Sequence, residues 1–384
     1  MGMRGQWVCL VSATALAFGF TTLAAAQSSA ARAVYDASAV VPTNVQGIRT
    51  FNAPPADFDP LTAMDEELAT YGFPPRPPQN DAEHYAQWAT AMRASTNRWN
   101  GELKVTPFWN EPVRPAPAPA GAAAESATAP TTGYSYNWSG FVNTNKLTKY
   151  STSYSVYYVV SNFNVPVAQQ AFKSSGGGNV CDGGWDMESS WNGIDGFLDG
   201  KALLQGGTLS GYYCSESTRE TSYYAWIEWW PSYAMIAEFE VNPGDDFFVE
   251  TWDTSATQGY VYLVDETTRT SATYGITPKS GQPGLIGNSA EYIVERPCCV
   301  GKNNYPLANY VQNFWAPNDY AYNFYNYDNN IATPWFPGST ATTTYLVNMV
   351  DDGDTQVISY PQALGKYSIF FEDENCGKSG GCTP

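Results

Sequence analysis

The sequence contains almost no histidine. His84 is the only one in 384 residues, and it lies upstream of the segment 133–384, which has the composition of a folded domain. A Ser-His-Asp or Cys-His nucleophile needs an imidazole to accept its proton, and a zincin needs two histidines on one helix. These classes are excluded for 133–384, where acid–base chemistry would fall to the 26 Asp and Glu residues. We expect His84 to be a packing or surface residue.

Basic residues are also scarce. The net charge is −18, and the segment 133–384 has 11 Lys and Arg against 26 acidic residues, which gives it −15. Nucleic acid is therefore an unfavourable partner, because phosphate binding needs a basic surface. With few cations left to repel one another at low pH, the segment should also resist acid unfolding. The alternative interpretation is an ordinary soluble extracellular surface.

One long apolar run is present, at the N-terminus. It covers Val11–Leu23, follows Arg4 and precedes the small residues Ala24–Ala26, which is typical of a secretory signal peptide over residues 1–26. The run is too short for a comfortable membrane span, so we expect no stable membrane association. The predicted location is extracellular or periplasmic, and the predicted state is a monomer.

Cysteine usage agrees with export. Cys9 lies in the predicted signal peptide, and the six that remain allow up to three disulfides in an oxidising compartment. Cys376 and Cys382 could close a local loop, whereas the adjacent Cys298 and Cys299 are expected to bond elsewhere. No spacing resembles a zinc site, and we predict no metal or cofactor.

Helical patterns are confined to residues 27–132. A helix is predicted from about Asp81 to Trp99 because Tyr85, Trp88 and Met92 share one face, and a shorter helix is predicted over Leu61–Thr70. The stretch Arg114–Thr132, rich in Pro, Ala and Gly, is typical of an extended, protease-accessible tether.

After the tether, short strands dominate. Alternating or aromatic-rich patterns predict strands that are separated by Gly, Asn and Pro turns. They cover Tyr154–Val165, Ser222–Trp230, Met235–Val241, Gly259–Val264, Arg269–Tyr274, Thr342–Val350 and Lys366–Glu372. This pattern predicts one all-β domain over 133–384, built as a sandwich or barrel.

One predicted strand carries two carboxylates on the same face. In the stretch Asn288–Glu295, the side chains of Glu291, Ile293 and Glu295 point one way, and Tyr292 and Val294 point the other way. Carboxylates on an otherwise apolar strand are costly to bury, and such groups often have raised pKa values. That is the profile of a general acid or base.

Several motifs occur together in a specific order. They are Asn137-Trp138-Ser139-Gly140, Asn164-Val165-Pro166, Trp191-Asn192-Gly193-Ile194-Asp195-Gly196, Leu203-Leu204-Gln205-Gly206-Gly207, Ala225-Trp226-Ile227-Glu228-Trp229-Trp230-Pro231, Gly244-Asp245 and Ala290-Glu291-Tyr292-Ile293-Val294-Glu295. In this order they resemble the eqolisins, the glutamic peptidases of family G1. The resemblance covers roughly Tyr136 to Glu295 and is weak beyond Pro297.

The resemblance implies a fold, a maturation route and a catalytic pair. The implied fold is two packed antiparallel sheets of the concanavalin A-like lectin type, preceded by a signal peptide and a partly helical propeptide over 27–132. The implied catalytic residues are Gln205 and Glu295, acting on protein or peptide substrates at acid pH without a cofactor. The positions expected to line or support the cleft are Trp138, Trp191, Asp195, Glu228, Trp230 and Glu291. We further hypothesise that the aromatic helix covers this cleft until the tether is cut.

Some positions depart from the family pattern. Gly206 stands where the family usually has Thr, Tyr224 stands where an acidic residue commonly occurs, and Arg296 follows Glu295 directly. A guanidinium near Glu295 would lower its pKa, but strand alternation predicts that Arg296 points to the opposite face.

Two other functions fit the same residues. A carbohydrate-binding or glycan-hydrolysing jelly roll would use Glu228 and Glu295 as its carboxylate pair, with Gln205 remote from them. A non-catalytic binding module would keep the sandwich without turnover. The stretch Asp253-Thr254-Ser255 resembles an aspartic-peptidase loop, but no second loop of that kind is present.

Overall fold

The computed structural model describes most of the chain after residue 40. The described ranges are 41–77, 82–119, 131–152, 154–171, 181, 183–198, 201–300, 303–310, 312–315, 320–323, 343–353, 356–363 and 369–373. The predicted signal peptide, Cys376 and Cys382 lie outside them. Across these ranges no helix has the length and apolarity needed to cross a membrane.

The described residues include two helices and 22 strands. The helices are α1 (Asp65–Thr70) and α2 (Ala82–Ala94). The strands are β1 (Val41–Pro42), β2 (Ile48–Thr50), β3 (Asn97–Arg98), β4 (Lys104–Val105), β5 (Thr131–Ser135), β6 (Trp138–Thr144), β7 (Val156–Asn164), β8 (Gly184–Ile194), β9 (Leu203–Cys214), β10 (Arg219–Trp230), β11 (Ile236–Glu240), β12 (Asp246–Ser255), β13 (Gln258–Asp265), β14 (Thr270–Ile276), β15 (Ser289–Glu295), β16 (Cys298–Val300), β17 (Asn303–Asn304), β18 (Gln312–Trp315), β19 (Tyr320–Asn323), β20 (Thr343–Val350), β21 (Val357–Ala363) and β22 (Ile369–Asp373).

The strands form two antiparallel arrays that pack face to face. The first array runs β4–β11–β10–β9–β8–β15–β6–β20, and the second runs β2–β14–β13–β12–β7–β19. Strands β21, β22 and β18 connect β20 to β7 at one side. The prediction of an all-β, two-sheet antiparallel sandwich is confirmed.

The core between the arrays comes from strand alternation. Leu204 on β9 and Val261 on β13 are fully buried members of one apolar cluster, and burying such a side chain is worth about 1.5–3 kcal/mol. A Cβ added at Gly206 would lie 2.4 Å from a Val261 methyl group. Glycine at position 206 therefore allows the two sheets to approach closely. This gives a physical reason for glycine at a position where the eqolisins usually have threonine.

A disulfide closes the end of one hairpin. Cys181 bonds to Cys214, the last residue of β9. The backbone N–H of Gly183 donates to the Cys214 carbonyl at 2.9 Å, so the disulfide ties the entry to β8 to the exit from β9.

The described residues of the range 41–119 are integrated into the sandwich. Strand β2 pairs with β14, β3 lies parallel to β14, and β4 pairs with β11. Helix α2 begins within one residue of the prediction but ends at Ala94, so Trp99 lies outside it. Its buried residues Trp88 and Met92 pack on the face of the second array that carries Tyr158 and Tyr262. His84 is buried there and hydrogen-bonds the Tyr158 hydroxyl at 3.2 Å, which agrees with the expected packing role.

The predicted strands agree with the structure to within a few residues. The stretch expected over Gly259–Tyr274 forms the β13–β14 hairpin, and Met235–Val241 contains β11. The strand expected over Ser222–Trp230 corresponds to β10. It begins three residues earlier than expected, at Arg219, because β10 stays paired with β9 as far as Cys214.

Candidate active site

Neighbouring strands of the first array bring the expected site residues onto one face. On β9, Gln205 lies opposite Glu228 of β10 and Gly193 of β8. On β15, Glu295 lies opposite Ser189 of β8. Residues that face each other across strands share a side of the sheet, and so do residues two apart along one strand. Gln205, Glu228 and Glu295 therefore all point away from the core between the sheets.

The Glu295 carboxylate receives three hydrogen bonds. Its Oε1 accepts from Asn137 Nδ2 and from the backbone N–H of Glu111, each at 3.0 Å, and its Oε2 accepts from Trp191 Nε1 at 3.0 Å. Burial raises the pKa of Glu295 well above its ordinary value, and the Asn137 and backbone donors oppose that rise. The result is a buried carboxyl group that three hydrogen bonds hold in position.

Gln205 and Glu228 form the second part of the site. Gln205 Nε2 donates to the backbone carbonyl of Asn110 at 2.9 Å and lies 3.4 Å from Glu228 Oε2. Glu228 Oε2 also accepts from the Asn110 backbone N–H at 3.0 Å. Burial raises the pKa of Glu228 well above its ordinary value, and the charges of Glu295 and Glu111 add to the rise.

Two tryptophans support this arrangement. Trp138 and Trp191 are fully buried and meet edge to face, with ring centroids 5.1 Å apart. Trp191 donates to Glu295 as described, and Trp138 Nε1 donates to the Glu111 carbonyl at 2.9 Å. Each ring therefore contributes apolar packing and one directed N–H group.

The other expected site residues, Asp195, Glu291 and Trp230, have different surroundings. Asp195 has a positive φ of 70°, and its carboxylate accepts backbone N–H groups of the loop 286–288 just before β15. It therefore fixes the approach to β15. Glu291 lies near Asp195, and its pKa is raised well above the ordinary value, by burial first and by the Asp195 charge as well. Trp230 ends β10 on the same face as Glu228.

Arg296 points away from the site, as strand alternation predicted. Its guanidinium forms an ion pair with Asp352 at 3.1 Å and donates to the Tyr305 carbonyl at 2.9 Å. It is not among the groups that shift the pKa of Glu295.

Residues 104–116, which we name the cleft segment, run across the site. The segment begins in β4, paired with β11. Further along, the backbone of Trp109 exchanges two hydrogen bonds with Cys298, at 3.0 and 2.9 Å. The Asn110–Glu111 peptide group then meets Gln205 through its carbonyl and Glu295 through its N–H. The aromatic helix α2, which we expected over the cleft, instead covers the second array.

The sequence did not single out three contributors to this site. Asn137 was noted only as part of a motif, yet it hydrogen-bonds Glu295 and the carbonyls of Glu111 and Pro112. Ser189 accepts from the side chain of Asn110 at 3.0 Å. The signal that could have identified Asn110 is its place between Trp109 and Pro112, in a stretch too aromatic for a plain linker.

The described residues hold no cluster of three or more His, Cys, Asp or Glu side chains arranged to bind a metal ion. The side chains that converge here are two carboxamides, two carboxyls and two indole N–H groups, from Gln205, Asn137, Glu228, Glu295, Trp138 and Trp191. Such a set can hold a carbonyl oxygen with a donor, accept a proton and return it.

Comparison with known proteins identifies relatives of this chain. Residues 136–318 match the sequence model of the Peptidase A4 family. Aspergillopepsin-2 from Aspergillus niger is 31% identical over 171 residues, which is 42% of this chain and 56% of that protein, so the match spans little more than half the relative's length.

Solved structures of similar shape include two peptidases. A scytalido-glutamic peptidase bound to a peptide-based transition-state analogue matches with a TM-score of 0.45 and 18% identity, covering 62% of this chain and 98% of that one. Aspergilloglutamic peptidase from Aspergillus niger matches with a TM-score of 0.39 and 23% identity, covering 49% and 99% of the two chains.

Proposed function

Since residues 136–318 match the sequence model of the Peptidase A4 family, we propose that the chain is a secreted acid endopeptidase of the glutamic type. Gln205 and Glu295 are its catalytic pair, and protein or peptide chains are its substrates. The signal peptide is residues 1–26, and the residues that follow it form a propeptide.

The mechanism follows from the two side chains. Glu295 as carboxylate takes a proton from a water molecule, and the water oxygen attacks the carbonyl carbon of the substrate. The Gln205 amide N–H stabilises the negative charge that develops on the carbonyl oxygen. Glu295 then passes its proton to the leaving nitrogen. A carboxamide suits this task in acid because it does not titrate.

One observation carries the proposal. A single peptide group, between Asn110 and Glu111, receives a hydrogen bond from Gln205 on its oxygen and gives one to Glu295 from its nitrogen. These are the two atoms of a substrate that the mechanism must stabilise and protonate. Trp191 and Asn137 hold the Glu295 carboxylate in that position.

The same contacts weigh against the glycan-hydrolysing alternative. That interpretation required Glu228 and Glu295 to face each other with Gln205 remote, whereas Gln205 lies 3.4 Å from Glu228. Glu228 contacts Gln205 and the backbone N–H of Asn110, which suits support of the amide and alignment of a bound chain.

Cleavage of an acid-denatured protein at about one pH unit below the ordinary Glu pKa tests the proposal. Glu295→Gln should abolish cleavage, and Gln205→Ala should lower kcat by about a hundredfold or more. The exposed Glu216, in the turn after β9, gives the matched control Glu216→Gln, which should retain the wild-type rate. Full proteolysis by Glu295→Gln, or release of sugar without peptide cleavage, would overturn the proposal.

A further inference from the structure

The cleft segment is bound in the way an extended peptide is bound at a sheet edge. Its backbone exchanges hydrogen bonds with the domain at several points before and after the site. Thr106 N–H donates to Met235 O at 3.0 Å, and Met235 N–H donates to Phe108 O at 2.9 Å. Beyond the site, Val113 N–H donates to Gly196 O at 3.2 Å. Main-chain pairing of this kind fixes the register of a bound chain.

This pairing places one peptide bond of the cleft segment between the side chains of Gln205 and Glu295. Among the peptide groups of the cleft segment, that of Asn110–Glu111 has its oxygen on Gln205 Nε2 and its N–H on Glu295 Oε1. The groups on either side are held by other residues. The Asn110 N–H donates to Glu228, and the Glu111 carbonyl accepts from Trp138.

We propose that the peptide bond between Asn110 and Glu111 is a self-cleavage site, cut by Gln205 and Glu295 of the same chain. This inference rests on the proposed function. It assigns a substrate to the site within the chain itself, and it puts the processing point at 110–111 instead of near residue 132.

The step balances with water as the only co-reactant. The water oxygen bonds to the carbonyl carbon of Asn110 while one water proton passes to the Glu295 carboxylate. The carbonyl electron pair moves onto oxygen, where the Gln205 amide N–H holds it, and returns as the bond to the Glu111 nitrogen breaks. The proton on Glu295 moves to that nitrogen. The products are a carboxyl group on Asn110 and a free amine on Glu111.

The Asn110 side chain shows what the site recognises on the N-terminal side of the bond. It is fully buried, and its Nδ2 donates to Ser189 Oγ at 3.0 Å. A small polar side chain that can donate one hydrogen bond therefore fits there, and a large apolar side chain would leave Ser189 without this partner.

Burial also indicates that the reaction occurs within one molecule. Asn110 has no exposed surface, and the cleft segment is paired with the domain on both sides of the bond. A second molecule could not reach this bond without displacing the segment. Positioning within one chain replaces an encounter between two molecules and makes the rate independent of concentration.

The experiment follows the full chain, purified at neutral pH from a secreting host and then shifted to acid. Intact mass and N-terminal sequencing should identify a new terminus at Glu111, formed with a first-order rate that does not change on tenfold dilution. Glu295→Gln should remain uncut at this bond, both alone and when mixed with the wild-type chain.

A matched pair of substitutions tests the bond itself. Glu111→Pro removes the N–H that meets Glu295 and should slow cleavage at 110–111 by at least a hundredfold, while Glu111→Gln keeps the N–H and should be cut at the wild-type position. Circular dichroism of both variants verifies that they are folded. If Glu111→Pro fails to fold, the N-terminus of the wild-type product still shows whether the chain is cut at 110–111.

Failure of the inference is separable from failure of the proposed function. If the wild-type chain digests an added denatured protein while 110–111 remains intact, the self-cleavage site is overturned and the peptidase stands. If it digests neither, the peptidase itself is overturned. A cleavage rate proportional to protein concentration, or cutting of Glu295→Gln by the wild type at the wild-type rate, overturns cleavage within one chain.

Discussion

Besides the pairing of β2 and β3 with β14, two interfaces of different chemistry join the described residues of 41–116 to the sandwich. The helical interface, formed by α1, α2 and the aromatic face of the second array, buries Trp88, Met92 and Phe73 against Tyr158 and Tyr262. The cleft interface, formed by the cleft segment, consists mostly of hydrogen bonds around buried carboxyl groups. The first depends on apolar area and the second on directed donors and protonation states, so the two should respond differently to the same change.

The largest contrast should come from removing an apolar anchor. Trp88 is fully buried in the helical interface, and Trp88→Ala should lower the free energy of unfolding by about 3–5 kcal/mol. Amide hydrogen exchange should accelerate over 82–94 and stay unchanged over 106–113. Tyr85→Ala, on the same helix and only partly buried, should cost less. Equal acceleration in both ranges would show that the interfaces open as one unit.

Raising the pH should loosen the cleft interface. Burial raises the pKa values of Glu228 and Glu295 above the ordinary value of 4.5. Their stabilisation is therefore fully present below pH 4.5 and is lost as the pH rises through the folded-state values, by about 1.4 kcal/mol per group and pH unit. Exchange protection of 106–113, corrected for intrinsic rates, should fall from pH 4 to 6, and Glu228→Gln should reduce the slope. Protection that grows with pH would contradict this account.

Lowering the pH should weaken the helical interface at His84, whereas it should strengthen the cleft interface. Burial lowers the pKa of His84 from 6.5 to about 3. Its contribution to stability is present above pH 6.5 and is lost as the pH falls toward 3, by about 1.4 kcal/mol per pH unit. Glu250 on β12, opposite Val160 of β7, is also buried; burial raises its pKa, so it acts with the opposite sign. We therefore expect the difference in unfolding free energy between wild type and His84→Asn to shrink from pH 6.5 to 4.5. A constant difference would exclude His84 as the source.

The smallest expected effect concerns one hydrogen bond of the cleft interface. Ser189→Ala removes the acceptor for Asn110 Nδ2 and should weaken protection of the cleft segment by about 1 kcal/mol. Ser190 lies on the other face of β8 and contacts Glu188 and Asn313 instead. Ser190→Ala should therefore leave exchange in the cleft segment unchanged, and an equal effect of both variants would show that the Ser189 contact is not specific.

Strand alternation explains how much of the fold the sequence predicted. Along β15 it correctly separated Tyr292 and Val294, which face the core between the arrays, from Glu295, which faces the cleft. It also predicted correctly that Arg296 turns away from Glu295. These inferences succeed because the period of two is a local property of the chain.

The partners of the site residues were not predictable in the same way. The contact of Glu111 with Glu295 joins residues 184 positions apart, and that of Asn110 with Gln205 joins residues 95 apart. No local pattern encodes such pairings. The aromatic periodicity of α2 predicted a buried face correctly, but periodicity does not state which surface buries it, and the expected cover over the cleft was therefore wrong.

The pairing of Arg114–Ala116 with Tyr134–Tyr136 has a consequence for any nick in the Pro- and Ala-rich stretch between them. Tyr136 N–H donates to Arg114 O and Ala116 N–H donates to Tyr134 O, each at 2.9 Å, so the two ends of this stretch are bonded to each other. If a host enzyme clips the chain between residues 120 and 130, the pairing of Arg114–Ala116 with Tyr134–Tyr136 still joins the two pieces. Such a clip divides the polypeptide without detaching anything from the cleft, and the nicked and intact forms should co-migrate until they are denatured.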